Sequence, residues 1–334
     1  MVRSRFLIMW LVLQAIPMHS ATLKKIALID LPGPRGEHFD HLVIDYDDHY
    51  LLSTHLGPGI LYVIDTRKNM LIKAIPGLPG VTAPVYVPRL RKVYTCDWGE
   101  NKIGVISLAT MRVMKKLPTR EKPNGGVYAE PFGKVYISDT LGKEVAVVDV
   151  HKDTIIKELK FDGETGRVQF DSVGRKVLVN LRTTDKVAEI DPASDTIIGQ
   201  YSAGRCDFNH GMALDAASRR AFLLCGGNNR LAVFDVNTHR TIAYIPLPPE
   251  GDDVQFDPGL RRIYVACETG VISVIQEIDA NHFVKLEDFP VQHGVHTLAV
   301  DAGTHRVYAP EQEENGRPVA RMLVYQAVGK GAKP

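Results

Sequence analysis

The sequence predicts an all-β fold made of seven copies of one unit of about 42 residues, running from Gly36 to Val328. The residue that closes the first apolar run of each copy recurs at intervals of 42, 42, 42, 44, 42 and 44 residues. These closing residues are Asp45, Val87, Ala129, Asp171, Asp215, Asp257 and Asp301. Such a period is typical of repeat architectures, so residues at the same phase of different copies should lie in one ring of the fold.

Each copy contains four predicted strands. The first is a short apolar run such as His41–Asp45, and a turn-rich loop follows it. The second has the type Lys134–Asp139, the third the type Leu61–Asp65 and the fourth the type Thr154–Leu159. β-branched and aromatic residues alternate with polar ones, and no helical period is present. Four strands per copy predict a propeller blade, so we expect a seven-bladed β-propeller of four-stranded blades.

The two ends of the chain predict how the ring closes. The seventh copy stops after its third strand, Met322–Tyr325, and only the polar tail at residues 329–334 comes after it. The missing fourth strand is present near the N-terminus, as Leu23–Leu31. We expect this segment to complete the last blade, which removes the exposed edges of an open array. The predicted propeller domain therefore covers residues 22–328.

Residues 1–21 have the pattern of a secretory signal peptide. Arg3 and Arg5 precede an apolar stretch, Phe6–Pro17, that is too short to span a bilayer. We therefore expect a periplasmic or extracellular protein with no integral membrane segment after the signal is removed. Its 38 basic and 39 acidic residues would leave a charge of about −1 and no basic stripe, which disfavours strong nucleic-acid binding. We expect a monomer.

Four cysteines would meet an oxidising compartment: Cys96, Cys206, Cys225 and Cys267. Cys225 and Cys267 occupy the same phase of neighbouring copies, which places their backbones too far apart for a disulfide. Cys206 with Cys225 is the better candidate pair. Buried free thiols are the favoured alternative, and the sequence leaves the pairing open.

The second strands carry a family resemblance. Tyr94–Asp97 reads Tyr-Thr-Cys-Asp and Tyr136–Asp139 reads Tyr-Ile-Ser-Asp. Together with third strands of the type Val-Ile-Asp, they resemble the YVTN-type repeats of seven-bladed propellers in secreted bacterial proteins. The resemblance covers the chain after the predicted signal. It implies the fold but says little about function, and the second strands at Leu178–Leu181, Phe222–Cys225 and Tyr308–Glu311 depart from its pattern.

Function in such a fold is expected where strand ends and loops meet at one mouth of the central channel. The starts of the innermost strands lie five residues before the closing residues: Asp40, Thr82, Asn124, Gly166, His210, Asp252 and His296. A regular hairpin register would pair them with the ends of the second strands: His55, Asp97, Asp139, Leu181, Cys225, Cys267 and Glu311. We therefore expect Asp40 beside His55, His210 beside Cys225 and His296 beside Glu311.

The polar members of these two rings are the candidate ligand-binding residues. They are Asp40, His55, Asp97, Trp98, Asn124, Asp139, His210, Asp252, His296 and Glu311. Trp98 follows Asp97 and would supply an aromatic wall. Neighbouring phases add His38, His41, Arg167, Asn209, Asp253 and His293. Polar side chains also occur at the wet mouth of a channel that binds nothing, and this alternative stays open.

Four candidates on consecutive blades have the chemistry of metal ligands. His210, Asp252, His296 and Asp40 alternate imidazoles with carboxylates, the groups that bind Zn²⁺ or another divalent cation. Against a metal, the chain contains no compact motif such as His-Glu-x-x-His. No cofactor other than a divalent metal is indicated.

Binding is the favoured function, with the channel mouth recognising a small molecule or a protein or peptide partner. The alternative is a divalent-metal-dependent hydrolase that resembles the propeller lactonases, in which the metal polarises a carbonyl and activates water. Under that resemblance Asp40, His210 and Asp252, with His296, would be ligands or acid–base groups, and Asn124 would assist. The catalytic residues stay open. No Cys-x-x-Cys-His haem motif or nucleotide-binding glycine motif is present.

Overall fold

The computed structural model describes residues 21–329, and within this range the chain forms seven four-stranded antiparallel sheets. Strand β1 is Leu23–Asp30. Blade 1 contains β2 to β5: Phe39–Asp45, Tyr50–His55, Ile60–Asp65 and Met70–Pro76. Blade 2 contains β6 to β9: Val81–Val87, Lys92–Asp97, Lys102–Ser107 and Arg112–Pro118. Blade 3 contains β10 to β13: Pro123–Ala129, Lys134–Asp139, Glu144–Asp149 and Thr154–Lys160.

The remaining blades repeat this order. Blade 4 contains β14 to β17: Thr165–Asp171, Lys176–Leu181, Lys186–Asp191 and Thr196–Ser202. Blade 5 contains β18 to β21: Asn209–Asp215, Arg220–Cys225, Arg230–Asp235 and Arg240–Pro246. Blade 6 contains β22 to β25: Gly251–Asp257, Arg262–Cys267, Val271–Asp279 and His282–Pro290. Blade 7 contains β26 to β28: Ala299–Asp301, Arg306–Glu314 and Arg317–Ala327. Short 3₁₀ turns cover Pro88–Leu90, Trp98–Glu100 and Glu130–Phe132.

The ring closes as the sequence predicts. β1 pairs antiparallel with β28, from Leu23 opposite Ala327 to Asp30 opposite Arg321, and so becomes the outer strand of blade 7. The innermost strands of successive blades contact each other, and β26 contacts β2. The predicted seven-bladed propeller is therefore confirmed. Among residues 21–329, no helix has the length and apolar character needed to cross a membrane.

The hydrophobic core lies between neighbouring blades. One cluster joins Ile29 of β1 and Tyr308 of blade 7 to Leu51 and Tyr62 of blade 1. Outer strands leave one face in water, as in β5, where Ile75 is buried and Met70 is exposed. The predicted signal peptide lies almost wholly in residues 1–20, outside the described range.

The recurring Asp at strand ends closes turns with its own side chain. The Asp65 carboxylate accepts hydrogen bonds from the backbone N–H groups of Arg67 and Lys68, at 2.8 and 2.9 Å. Asp171 makes the same pair of bonds to Val173 and Gly174. A carboxylate that accepts backbone N–H groups of the following turn favours that turn. This explains why Asp recurs at the strand ends of the repeat.

The cysteines differ from the favoured expectation. Cys206, in the loop before β18, forms a disulfide with Cys225, the last residue of β19. The expectation of free thiols is therefore wrong for this pair, while Cys96 and Cys267 are buried and free. The disulfide ties the segment that leads into the innermost strand of blade 5 to its neighbour in the sheet.

Candidate functional site

The innermost strands begin with an irregularity that the sequence analysis does not predict. In blade 5 Asn209 pairs with Cys225 and Gly211 with Leu224, so His210 is left between two pairs. Asn124 and Asp252 are skipped in the same way in blades 3 and 6. A β-bulge of this kind adds a residue to one strand and redirects its side chain.

The predicted register is therefore wrong by one residue at the mouth. His55 pairs with Phe39 and not with Asp40, and Asp139 pairs with Pro123 and not with Asn124. His296 precedes the first residue of β26, so it has no partner in that ladder. Because the bulged residues turn into the channel, the ends of the second strands are left in the blade interior.

Four predicted ligand-binding residues lie in that interior and do not line the mouth cavity. His55 stacks on Phe39 with ring centroids 4.0 Å apart, and burial lowers its pKa to about 4. Asp97 accepts a hydrogen bond from the Thr95 hydroxyl at 2.8 Å, and burial raises its pKa to about 7. Asp139 accepts the backbone N–H groups of Arg120 and Glu121 at 2.6 and 2.7 Å. Glu311 is buried, with its carboxylate 3.9 Å from Arg321.

The other six predicted residues converge on one cavity of about 470 Å³ at the channel mouth. They are Asp40, Trp98, Asn124, His210, Asp252 and His296. The neighbouring candidates His38 and His41 also line it. The sequence analysis missed the other lining residues: Phe39, Leu56, Lys122, Thr140, Leu141, Glu164, Arg182 and Glu268. The cavity thus combines titratable, amide and aromatic side chains from all seven blades.

An ion pair lies below the cavity, at a narrow part of the channel where Arg167 lines a space with a volume of only about 10 Å³. Arg167 of blade 4 reaches Asp253 of blade 6, with Nη2 and Oδ1 2.6 Å apart. Asp253 also accepts hydrogen bonds from the Thr297 hydroxyl and the backbone N–H of Leu298. Arg167 and His41 line the narrow part as well as a second cavity of about 230 Å³ beyond it. This ion pair therefore forms the floor of the mouth cavity, and we call the cavity the cup.

Two of the four carboxyl groups that line the cup, those of Asp40 and Asp252, are held in opposite protonation states near neutral pH. Burial raises the pKa of Asp40 to about 8, and the nearby charge of Asp252 contributes to the rise. Burial also acts to raise the pKa of Asp252, but its interaction with His210 and the charge of His296 bring that pKa below its ordinary value. His210 Nε2 lies 3.2 Å from Asp252 Oδ1. Asp40 and Asp252 therefore combine a neutral carboxylic acid with a carboxylate.

Two histidines of the cup, His296 and His41, likewise have pKa values shifted in opposite directions. Burial acts to lower the pKa of His296, but the charge of Asp252, with a smaller contribution from Asp40, outweighs burial, so the pKa is raised overall. Burial and the charge of Arg167 lower the pKa of His41 well below its usual range. His41 is thus neutral at the floor, and His296 gains positive charge at the side.

The four predicted metal ligands line the cup without forming a metal centre. In the described part of the chain, no group of three or more His, Cys, Asp or Glu side chains is arranged to hold a metal ion. His210 and Asp252 are already paired with each other, and Asp40 accepts the backbone N–H of His41 at 2.8 Å. The residues present therefore do not form a ready set of ligands.

No protein-family model and no curated protein matches the sequence. The chain is similar in structure to the RRP9 WD40 repeats, with a TM-score of 0.76 and 11% identity, over 91% of this chain and 100% of that one. It is also similar to U3-55K, with a TM-score of 0.75 and 12% identity, over 89% of this chain and 98% of that one. At this identity the likeness shows the fold alone. Membership of the YVTN-type family stays a prediction from the sequence, and the chain is a seven-bladed β-propeller.

Proposed function

We propose that this protein is a binding protein that holds a small ligand in the cup at its channel mouth. A propeller is a scaffold typical of protein-interaction and binding domains. The observation that carries the proposal is the cup of about 470 Å³, lined by several polar groups with perturbed pKa values. Ligand sites are concave, commonly about 300–1,000 Å³ in volume, and have few convergent polar groups. A protein or peptide partner at the same mouth is the alternative occupant.

The proposal includes a location in the periplasm or outside the cell, and a monomeric state. The disulfide between Cys206 and Cys225 supports the location, because such bonds persist in oxidising compartments. The predicted signal at residues 1–21 is consistent with it.

Trp98 provides a direct test, since it lines the cup and is the only tryptophan after the predicted signal. Small molecules would be screened by change in Trp98 fluorescence and by shift in Tm. We expect hits to bind the wild type and His282→Ala, which alters an exposed histidine at the start of the outer strand β25. Binding should be lost in Asp252→Ala and His296→Ala. Hits that bind all four proteins equally would contradict the proposal, as would a screen without hits.

A metal-dependent hydrolase is the second candidate. The observation that favours it is the neutral Asp40 beside the ionised Asp252, because carboxyl groups with separated pKa values suit an acid and a base. The absence of a ready ligand set among residues 21–329 makes it the weaker candidate. Lactone hydrolysis that requires added Ca²⁺, Mn²⁺ or Zn²⁺ and is lost in Asp252→Asn would support it. A protein with no metal-induced Tm shift and no hydrolysis would exclude it.

A further inference from the structure

Two cations of the cup stack on aromatic rings and make no close ion pair within residues 21–329. Lys122 places its ammonium group 3.9 Å from the centre of the Trp98 ring, and Arg182 places its guanidinium 4.4 Å from that of Phe208. Neither side chain makes a close ion pair or a hydrogen bond within residues 21–329.

Burial lowers the pKa of Arg182, and the charges of Glu164 and Asp252 act against that shift. Arg182 Nε is buried and lacks an acceptor. A buried donor is more stable when it has an acceptor, and a ligand in the cup could supply one.

Both aromatic rings are held by the surrounding backbone. Phe208 has a left-handed backbone, φ 55°, and its N–H donates to the Asp185 carboxylate at 2.8 Å. It lies two residues from the disulfide-bonded Cys206, and its ring is parallel to that of His210 at 6.1 Å. Trp98 begins a 3₁₀ turn, and its N–H donates to Gly80 O at 3.0 Å. Cations stacked on rigid rings are positioned in advance, while their N–H groups stay free for a ligand.

The remaining charges of the cup limit the charge of that ligand. Glu164, Asp252 and Glu268 line the same cavity, so a doubly charged phosphate would meet more repulsion than a singly charged group. A carboxylate has one charge, and its two oxygens match the planar fork of an arginine. The carboxyl groups of Asp252 and Glu268, both on blade 6, can accept hydrogen bonds from the rest of the ligand.

We infer that the cup binds a small organic acid, whose carboxylate pairs with Arg182 and is also attracted by the positive charge of Lys122. This inference rests on the proposed function, namely that the cup binds a small molecule, and it names the chemical class of that molecule.

The experiment compares carboxylates with their uncharged amides. Lactate, succinate and benzoate would be tested against lactamide, succinamide and benzamide by ligand-observed NMR, with inorganic phosphate as a separate probe. Carboxylates should bind the wild type, and their affinity should fall at least about tenfold in Arg182→Gln and Lys122→Gln. Arg205→Gln is the matched control, because Arg205 stacks on Tyr244 at 4.9 Å but lies outside the cup. Arg182→Lys keeps the charge and should retain part of the affinity, which a merely unfolded variant would not do.

Several outcomes would overturn the inference: amides that bind as tightly as carboxylates, glutamine variants that keep full affinity, or binding of phosphate alone. If amides and carboxylates both bind and Asp252→Ala abolishes both, the proposed function stands and only the ligand class is wrong. If neither the probes nor the library used above binds, the proposed function fails as well.

Discussion

Replacing Asp40 by asparagine should make the stability of the protein less dependent on pH. Asp40 is 9% exposed, and burial raises its pKa from 3.8 to about 8. The unfolded chain releases this proton near pH 4, whereas the folded protein keeps it until about pH 8. Because the folded state binds the extra proton throughout this interval, stability falls as pH rises from about 4 to about 8 and is level above that.

The size of the effect follows from the shift. One pH unit within the interval corresponds to about 1.4 kcal/mol, so this group alone removes up to ~4 kcal/mol between about pH 5 and about pH 8. Asparagine cannot ionise, yet its Oδ1 can still accept the His41 N–H, which Asp40 does at 2.8 Å. The stability of Asp40→Asn relative to the wild type should therefore grow with pH over this range and then stay constant.

Urea unfolding followed by circular dichroism at about pH 5, 7 and 9 measures the difference. Asp191→Asn is the control, because a hydrogen bond from Ser194 lowers the pKa of this turn residue, which stays ionised over the whole range. Its effect on stability should not change with pH. If the difference between Asp40→Asn and the wild type were equally independent of pH, the argument that burial holds Asp40 neutral would be refuted.

Three further predictions concern the structure around the cup. Ile29→Ala in β1 should lower the free energy of unfolding by about 2–5 kcal/mol, because Ile29 is 6% exposed in the core between blades 7 and 1. Ile26→Ala, at 42% exposure in the same strand, should cost about 0.5 kcal/mol or less; equal effects would contradict closure by β1. Removing the disulfide with Cys206→Ser and Cys225→Ser should cost about 3 kcal/mol in urea unfolding, because a crosslink with a sequence separation of 19 restricts the unfolded chain. An unchanged unfolding midpoint would show that the crosslink does not stabilise the fold. Arg167→Ala should cost about 3–5 kcal/mol, because it leaves the nearly inaccessible Asp253 carboxylate without its partner. Adding Asp253→Ala should recover part of that loss, and simple additivity of the two changes would argue against a coupled floor.

The sequence predicts the fold well because the period and the chain ends constrain it together. The closing residues, such as Asp45 and Asp257, are the last residues of the innermost strands β2 and β22. The pairing of β1 with β28 follows from a seventh copy that is one strand short. The disulfide could not be predicted in the same way, because Cys206 lies in a loop whose path the repeat does not define.

The candidate site is predicted only in part, because the sequence does not reveal the bulges at the strand starts. With a regular hairpin, the last residues of the second strands, such as Asp97 and Leu181, would face the mouth. The bulge leaves them in the blade interior, and the next residue along the chain reaches the cup instead. Thr140, Arg182 and Glu268 occupy that next position, directly after Asp139, Leu181 and Cys267.

The bulge also explains why the sequence analysis is right to place Trp98 at the channel mouth but wrong to place Asp97 there. Trp98 belongs to the ring that directly follows the second strands, and Arg182 belongs to the same ring two blades further on. Lys122 and Phe208 share another phase, since each lies seven residues before the closing residue of its blade, Ala129 and Asp215. Trp98, from the first of these phases, is the aromatic partner of Lys122. Phe208, from the second phase, is the aromatic partner of Arg182. The two cation–aromatic pairs are formed by the same two rings with the roles exchanged. Because a repeat specifies positions and not residue types, this exchange is one place where the chemistry of the cup departs from sevenfold symmetry.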